Sequence, residues 1–278
     1  MTIQALVIGI GSGNPDHLTR EAVAALNRVD VFLVADKGAA KHDLVQLREE
    51  ICSAVITHEH YRFVEVPDPE RGSDRDRDAA GYQAGVVAWH EARARRYADI
   101  ITGQVEATGT VGFLVWGDPA FYDSTIRILE SIVGLGIDLE VTVIPGISSI
   151  QLLAARHKII LNRVGQPIHV TTGRRLLSEY SPALGDVVVM LDGDLACGGL
   201  AETFGDLMIY WGAQLGLPDE VIVSGRLGDV LDELRARRAT IRKTRGWVMD
   251  TYLLRPSHRN LRTVAPEVGP SGGHVRGP

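Results

Sequence analysis

The feature that most constrains the fold is a strand-like apolar run that stops abruptly at glycine or proline, a pattern that occurs three times. The segments are VIGIGSGNP at residues 7–15, FLVWGDPAFYDST at residues 113–125 and VTVIPGISS at residues 141–149. Each leads into a helix-like pattern that starts with Ser, Thr or Asp. Open α/β sheets bind ligands beyond the carboxyl ends of their strands, so we expect the three loops to meet there.

Alternation of strand and helix patterns predicts an α/β protein with a parallel sheet in the first half. Strand patterns lie at residues 3–10, 31–35, 63–66, 111–116 and 139–144, and helical patterns lie between them at 18–29, 41–53, 81–106 and 122–133. The second half predicts a mixed sheet, because it has strand patterns at 168–172, 186–191, 207–211, 220–224 and 247–254 but one clear helix at 228–238. We expect two α/β domains, at residues 1–140 and 141–262, followed by a disordered tail at 263–278.

Net charge and cysteine content limit the classes of ligand and partner that we expect for this protein. The formal net charge is -6 and the pI is about 5.8, which disfavours general nucleic-acid binding. Cys52 and Cys197 have no second Cys or His at metal-ligand spacing nearby, so we expect a reduced, cytoplasmic protein without a metal site. There is no basic leader and no apolar stretch of about 18 residues, so we expect no membrane association. The ligand is predicted to be small.

Each loop alone has two interpretations. Gly9, Gly11 and Gly13 miss the dinucleotide fingerprint because Asn14 stands at its third position, so they indicate either close approach of a bulky group over bare backbone or a tight turn without a ligand. Asp118 is placed where backbone amides can hold its carboxylate, facing a cationic or hydroxyl-bearing ligand or simply capping the next helix. The serines of the third segment either cap a helix or donate to a ligand.

Taken together, the three motifs in this order and spacing resemble those of the tetrapyrrole methyltransferase family, which uses S-adenosylmethionine without the usual methyltransferase fold. The resemblance extends over nearly the whole chain up to the tail. Further segments resemble the deacetylating precorrin methyltransferases within that family, among them TTGRR at residues 171–175, IYWGA at 209–213 and GWVMDTYLLR at 246–255.

The resemblance implies two α/β domains with the cofactor in the cleft between them, and a homodimer. It also implies an activity: the acetyl group at C-1 of precorrin-5 is removed as acetate and that carbon is methylated, which gives precorrin-6A and S-adenosylhomocysteine. By resemblance, the cofactor would be contacted by Pro15, Gly117, Asp118, Ala120, Tyr122, Ser148, Ser149, Met190, Gly212 and Ala213.

Deacetylation needs an activated water or a stabilised oxyanion. Asp36, at the end of a predicted strand, and Asp123, beyond the second glycine turn, are our candidate general bases, although each could equally cap a helix. Because the substrate carries many carboxylates, we expect arginines in its binding site. The candidates are Arg163, Arg174 and Arg175. The basic run at residues 235–245 is interpreted instead as the solvated face of a helix.

Three other functions stay open at this point. One is a precorrin methyltransferase that acts at another ring carbon without losing acetate. The second is an RNA methyltransferase on the same fold, which the acidic charge disfavours. The third is a carrier that keeps the cleft but has lost turnover.

Overall fold

The computed structural model describes residues 2–36, 42–69 and 79–257, and they form two five-stranded sheets with covering helices. The strands are β1 (Ile3–Gly9), β2 (Val31–Asp36), β3 (Arg62–Pro67), β4 (Thr110–Val115), β5 (Leu139–Ile144), β6 (Ile168–Thr172), β7 (Asp186–Met190), β8 (Met208–Ala213), β9 (Val221–Arg226) and β10 (Asp250–Arg255). The α-helices are α1 (Arg20–Leu26), α2 (His42–Val55), α3 (Ala79–Gln104), α4 (Thr125–Gly134), α5 (Ser149–His157), α6 (Gly173–Glu179), α7 (Ala201–Phe204) and α8 (Leu227–Arg245).

The first sheet has the order β3-β2-β4-β1-β5, and all its pairings are parallel. Strand β1, in the interior of the sheet, is almost fully buried on both faces, which explains its mostly apolar sequence. One face packs on α3 and α4, through residues such as Ile101 and Leu129. The other packs on α1 and α2, through residues such as Leu26 and Ile51. Because β1 lies between β4 and β5, the loops that follow these three strands emerge side by side.

The second sheet has the order β6-β7-β10-β8-β9, with β6 and β7 parallel and the other pairs antiparallel. Helix α8 covers one face, where Leu227 and Leu234 pack around Trp211. Helix α5 covers the other, where Leu153 packs near Leu253. The prediction of a parallel first sheet and a mixed second sheet is therefore confirmed.

Several element boundaries differ from the predictions for local reasons. The predicted helix at residues 122–133 begins only at Thr125, because Tyr122 has a positive φ of 52° and cannot lie in a right-handed helix. The predicted helix at 228–238 continues to Arg245 and ends before Gly246, whose φ of 76° is left-handed. Helices α6 and α7 are too short for their periodicity to be recognised in the sequence.

The predicted domain boundary after residue 140 falls inside β5, which pairs with β1 from Leu139 to Ile144. We propose that the first domain extends through Ile144 and that the second begins in the connection to α5. The predicted tail at residues 263–278 lies outside the described residues. None of the helices in the described ranges is both long and apolar enough to cross a membrane.

The two cysteines lie in separate cores, Cys52 under the first sheet and Cys197 under the second. Burial raises the pKa of each thiol to about 12, so both stay protonated at neutral pH.

Candidate functional site

The loops after β1, β4 and β5 meet at the carboxyl edge of the first sheet, as their sequences predict. The Gly117 N–H donates to the Gly11 carbonyl (2.7 Å) and the Gly11 N–H donates to the Gly117 carbonyl (3.3 Å). This pair of hydrogen bonds joins the first loop to the second.

Glycine is required where these loops touch. A Cβ on Gly146 would lie 2.1 Å from the Gly117 carbonyl oxygen and 2.8 Å from the Gly9 Cα, and a Cβ on Gly9 would lie 2.6 Å from the Gly146 nitrogen. All of these neighbours are backbone atoms, which cannot move aside as a side chain can. The first wall of the site is therefore built by direct packing of backbone on backbone.

Asp118 ties the second loop to the third. Its Oδ2 accepts a hydrogen bond from the Gly146 N–H (2.9 Å), and its Oδ1 accepts one from the Ala120 N–H (2.8 Å). An ionised carboxylate has about four acceptor positions, so roughly two remain for a ligand. The carboxylate is thus a structural link and still an acidic neighbour to whatever lies beside the loops.

Ser148 is the N-cap of α5 and is 2 % exposed. Its N–H donates to the Gln151 Oε1 (2.8 Å), and its hydroxyl also contacts that oxygen. The hydroxyl is therefore occupied within the helix start, which favours the capping interpretation for Ser148.

A buried side-chain network builds the opposite wall, behind the loop that follows β7. Asp192 Oδ2 accepts from the Tyr252 hydroxyl (2.6 Å) and from the Ala196 N–H (2.7 Å), and its Oδ1 accepts from the Asp194 N–H (3.1 Å). Burial raises the pKa of Tyr252, so the phenol stays a neutral donor. In the same loop Leu191 has a φ of 52°, a strained conformation for a non-glycine residue that this network holds in place.

Arg238 of α8 completes this network. Its Nε donates to Asp250 Oδ2 (2.9 Å), and its Nη1 and Nη2 donate to the carbonyls of Gly193 (2.7 Å) and Asp192 (2.5 Å). Trp211 Nε1 also donates to Asp250 Oδ2 (2.9 Å). Burial raises the pKa of Asp250, and the opposing effect of Arg238 reduces that shift.

Two adjoining cavities lie between these walls. The smaller, about 500 Å³, is enclosed by residues of both sheets, and the larger, about 920 Å³, extends from it over β2, α2 and α3. Seven residues line both cavities: Arg48, Leu114, Trp116, Phe121, Tyr122, Asp123 and Leu191. The two cavities therefore adjoin at this group, which we call the junction.

Most of the predicted cofactor residues line the smaller cavity, namely Gly117, Asp118, Tyr122, Ser148, Ser149 and Met190. Ala120 lines the larger one. Pro15 lines neither, because it is exposed at the start of a 3-10 turn beyond the first loop. Gly212 and Ala213 also line neither, because both are buried within β8, and Leu215 reaches the cavity instead.

The two candidate bases differ in position. Asp123 lies at the junction, with its Oδ1 accepting from the Thr125 N–H (2.7 Å). Asp36 is the last residue of β2 and follows Ala35, which lines the larger cavity. The side chain of Asp36 lies outside the described part of the chain.

The arginines predicted to hold substrate are not among the residues that line either cavity, and their role in substrate binding stays a prediction. Arg163 Nη2 is 3.5 Å from Asp186 Oδ1, in an ion pair within the second domain. Arg175 pairs with Glu179 one turn along α6 and, like its exposed neighbour Arg174, lines neither cavity. Residues at strand ends do not all face the cleft, because a side chain there can turn towards its own domain.

Among the described residues, the arginines that do line the cavities are Arg48, Arg93, Arg127, Arg238 and Arg242. The last two belong to the basic run that the sequence analysis assigned to solvent, and Arg238 is only 8 % exposed. Arg238 and Arg242 are four residues apart and share a helix face with the buried Leu231, Leu234 and Ile241. That spacing could have indicated that both arginines face the protein rather than solvent. No comparable sequence pattern indicates that Arg48 faces the cavities.

Comparison with known proteins places this geometry in a family. Residues 5–231 match the family model of the tetrapyrrole (corrin/porphyrin) methylases. A protein named precorrin-6A synthase [deacetylating], from Sinorhizobium sp, is 43% identical over 251 residues, which covers 90% of this chain and 94% of that protein.

Solved structures with the same fold include proteins of this family. A putative cobalamin synthesis related protein from Corynebacterium diphtheriae superposes with a TM-score of 0.78 at 35% identity, covering 92% of this chain and 99% of that one. A uroporphyrin-III C-methyltransferase from Thermus thermophilus in complex with S-adenosylhomocysteine shares the fold, with a TM-score of 0.52 at 18% identity and coverage of 90% and 96%. The chain belongs to the tetrapyrrole (corrin/porphyrin) methylase family.

Proposed function

We propose that this protein methylates C-1 of precorrin-5 from S-adenosylmethionine and releases the acetyl group as acetate, forming precorrin-6A. The observation that carries the proposal is the relative named precorrin-6A synthase [deacetylating], which matches 90% of this chain at 43% identity. The two adjoining cavities support it, because the reaction brings together a nucleoside donor and a large macrocycle.

The smaller cavity has the chemistry that the methyl donor needs. Asp118 offers carboxylate acceptor positions next to backbone that lacks side chains, while Met190 and Leu215 supply apolar surface. Bound there, S-adenosylmethionine supplies an electrophilic methyl group on a positively charged sulfur. The residues of this chain orient it and exclude water, an effect that contributes on the order of 7 to 11 kcal/mol in well-aligned reactions.

Asp123 is the better of the two candidate bases for deacetylation. It lies at the junction, and the Thr125 N–H holds only its Oδ1. Its other oxygen is thus a candidate acceptor for a proton from water. Asp36 remains the second candidate, since the strand that it ends contributes Ala35 to the larger cavity.

The decisive experiment supplies the purified protein with precorrin-5 and methyl-labelled S-adenosylmethionine. We expect acetate, S-adenosylhomocysteine and a methylated macrocycle in equal amounts. Methyl gain without acetate would establish the alternative precorrin methyltransferase, and binding of donor without any turnover would establish a carrier.

A matched pair of variants tests the base. Asp123→Asn is expected to lower acetate release by about 10²–10⁴-fold while binding of S-adenosylhomocysteine persists. Glu130→Gln, an equivalent change at an exposed carboxylate of α4, should leave the rate unchanged. If Asp36→Asn rather than Asp123→Asn loses acetate release, the assignment moves to Asp36.

We further propose that the protein is a homodimer, as the family resemblance implies. We also propose that it works in the cytoplasm and binds neither nucleic acid nor membrane, because of its cysteine content, its acidic net charge and its lack of a long apolar stretch. The exposed apolar side chains of Ile160, at 75% exposure, and of Val164, which is fully exposed, support a partner surface. Sedimentation equilibrium tests the dimer, and a monomer at micromolar concentration would contradict it.

A further inference from the structure

The junction carries one cation and one anion. Its members Leu114, Trp116, Phe121, Tyr122 and Leu191 are apolar or aromatic, and the remaining two are one basic residue, Arg48, and one acidic residue, Asp123. If donor and macrocycle occupy the two cavities, the carbon that receives the methyl group has to lie where the cavities meet. The two charged side chains therefore flank the reacting centre.

Arg48 is held from two sides. Its Nη1 donates to the Leu44 carbonyl (3.1 Å) one turn back in α2, and its Nε lies 3.5 Å from the Leu114 carbonyl in β4. The guanidinium carbon lies 4.7 Å from the centre of the Trp116 ring, over its face. Helix and sheet together fix the guanidinium in place without using all five of its N–H groups.

Arg48 has no carboxylate partner within salt-bridge distance among the residues that the structure describes. Burial lowers the pKa of Arg48 to about 10, so the group stays charged at neutral pH although it is largely removed from water. The charge of Asp123 acts on Arg48 from beyond salt-bridge distance, so among the described residues the buried guanidinium has no directly paired anion. An arriving anionic oxygen would offset part of the cost of burying it. Trp116 Nε1 is also buried, and no atom in the described part of the chain forms a hydrogen bond with it.

We propose that Arg48 binds the oxygen of the substrate acetyl group and stabilises the oxyanion that forms when water adds to it. This rests on the proposed function. Asp123 takes a proton from water, the water oxygen bonds to the acetyl carbon, and the C=O electron pair moves onto the oxygen beside Arg48. When that C=O bond re-forms, the bond to the ring carbon breaks and acetic acid leaves. The electron pair left on the ring carbon would then be free to bond to the methyl group of S-adenosylmethionine, whose carbon–sulfur bond would break to release S-adenosylhomocysteine.

The position of Arg48 distinguishes it from arginines that would bind the peripheral carboxylates of the macrocycle. Arg93 and Arg127 line only the larger cavity, where they could hold the peripheral carboxylates of a macrocycle bound there. Arg93 is 3.3 Å from Asp68 and its guanidinium carbon lies over Trp89, so Arg127 is the better matched control.

The test compares Arg48→Ala, Arg48→Lys and Arg127→Met in the full-length protein. We expect Arg48→Ala to lower kcat for acetate release by about 10²–10³-fold, the loss seen when an oxyanion donor is removed. Binding of S-adenosylhomocysteine should stay within about threefold of wild type, and millimolar guanidinium should restore part of the acetate release. Arg127→Met should instead raise KM for precorrin-5 with kcat within about threefold of wild type.

Three outcomes would overturn the role of Arg48. They are a raised KM with unchanged kcat in Arg48→Ala, acetate release unaffected in both Arg48 variants, and joint loss of S-adenosylhomocysteine binding and folding in Arg48→Lys. Absence of acetate from the wild-type protein would instead contradict the proposed function, so the two failures are distinguishable.

Discussion

The two walls of the cleft are built by different means. The first wall consists of three loops whose backbones pack directly on one another through Gly9, Gly117 and Gly146. The second wall is a loop held from behind by buried side chains, chiefly Asp192 and Arg238. One wall depends on the absence of side chains and the other on their hydrogen bonds, so the two should fail differently when mutated.

The largest expected effect is on the second wall. Arg238→Met leaves the Asp250 carboxylate, whose side chain is 2% exposed, with only Trp211 as a partner, and removes two donors from the β7 loop. We expect the free energy of unfolding in urea to fall by about 3–5 kcal/mol. Arg237→Met, on the exposed face of the same helix, should cost less than about 1 kcal/mol. Equal losses would mean that the network does not hold this wall.

On the first wall, Gly146→Ala should cost about 3 kcal/mol and abolish binding of S-adenosylhomocysteine in calorimetry. The added methyl would lie 2.1 Å from a backbone oxygen, so the loops must separate. The control is Gly103→Ala in α3, where no atom lies within 4 Å of the new Cβ. It should stabilise the protein by about 0.5–1 kcal/mol. Retained binding in Gly146→Ala would show that the loops do not need their close contact.

A smaller effect is expected from Asp118→Asn, which keeps the shape of the side chain. One of its two backbone N–H partners, on Gly146 or Ala120, would then face an amide NH₂ instead of an acceptor. We expect a loss of about 1–3 kcal/mol together with weaker donor binding. Asp99→Asn, at an exposed position of α3, is the control. An unchanged stability would mean that backbone contact alone joins the second and third loops.

The smallest effect concerns pH at a contact between the two domains. A Cβ on Gly216 would lie 3.0 Å from His17 Nδ1, so this ring packs directly on the second domain. Burial, and then Arg156, lower the pKa of His17 below 6.5, against the opposing effects of Asp16 and Glu220.

The folded state therefore binds this proton less readily than the unfolded state does, and stability falls as the pH drops below about 6.5. We expect His17→Gln to lose less stability than wild type between about pH 7 and pH 5 in thermal denaturation. His60→Gln, at an exposed position, should follow the wild-type profile. Identical profiles for wild type and His17→Gln would contradict this contribution.

The sequence predicted residues of the first wall better than residues of the second wall and the junction. The glycine turns were recognisable because a strand that ends at glycine is a local pattern, and both sheets and their strand types followed from such patterns. The junction was only half predicted: Asp123 follows a turn motif, whereas Arg48 lies in an ordinary helix. Its partner Leu114 is 66 residues away, and no local pattern reports that contact.

The arginines show the same limit. Arg163 and Arg175 were predicted from their position after strand or loop ends, yet each pairs within the second domain. Arg238 was assigned to solvent because its neighbours in sequence are charged, yet it is buried against Asp250. A charged side chain several bonds long can turn in either direction, and the available partner decides which.

By itself the sequence determined the two-sheet α/β architecture, the order of the strands along the chain and the loop positions that require glycine. These follow from apolar periodicity and from steric rules that act over a few residues. Only the tertiary structure decided which charges face the cleft. That choice depends on the balance between desolvation and pairing, and the pairing groups come from elements far apart in the chain.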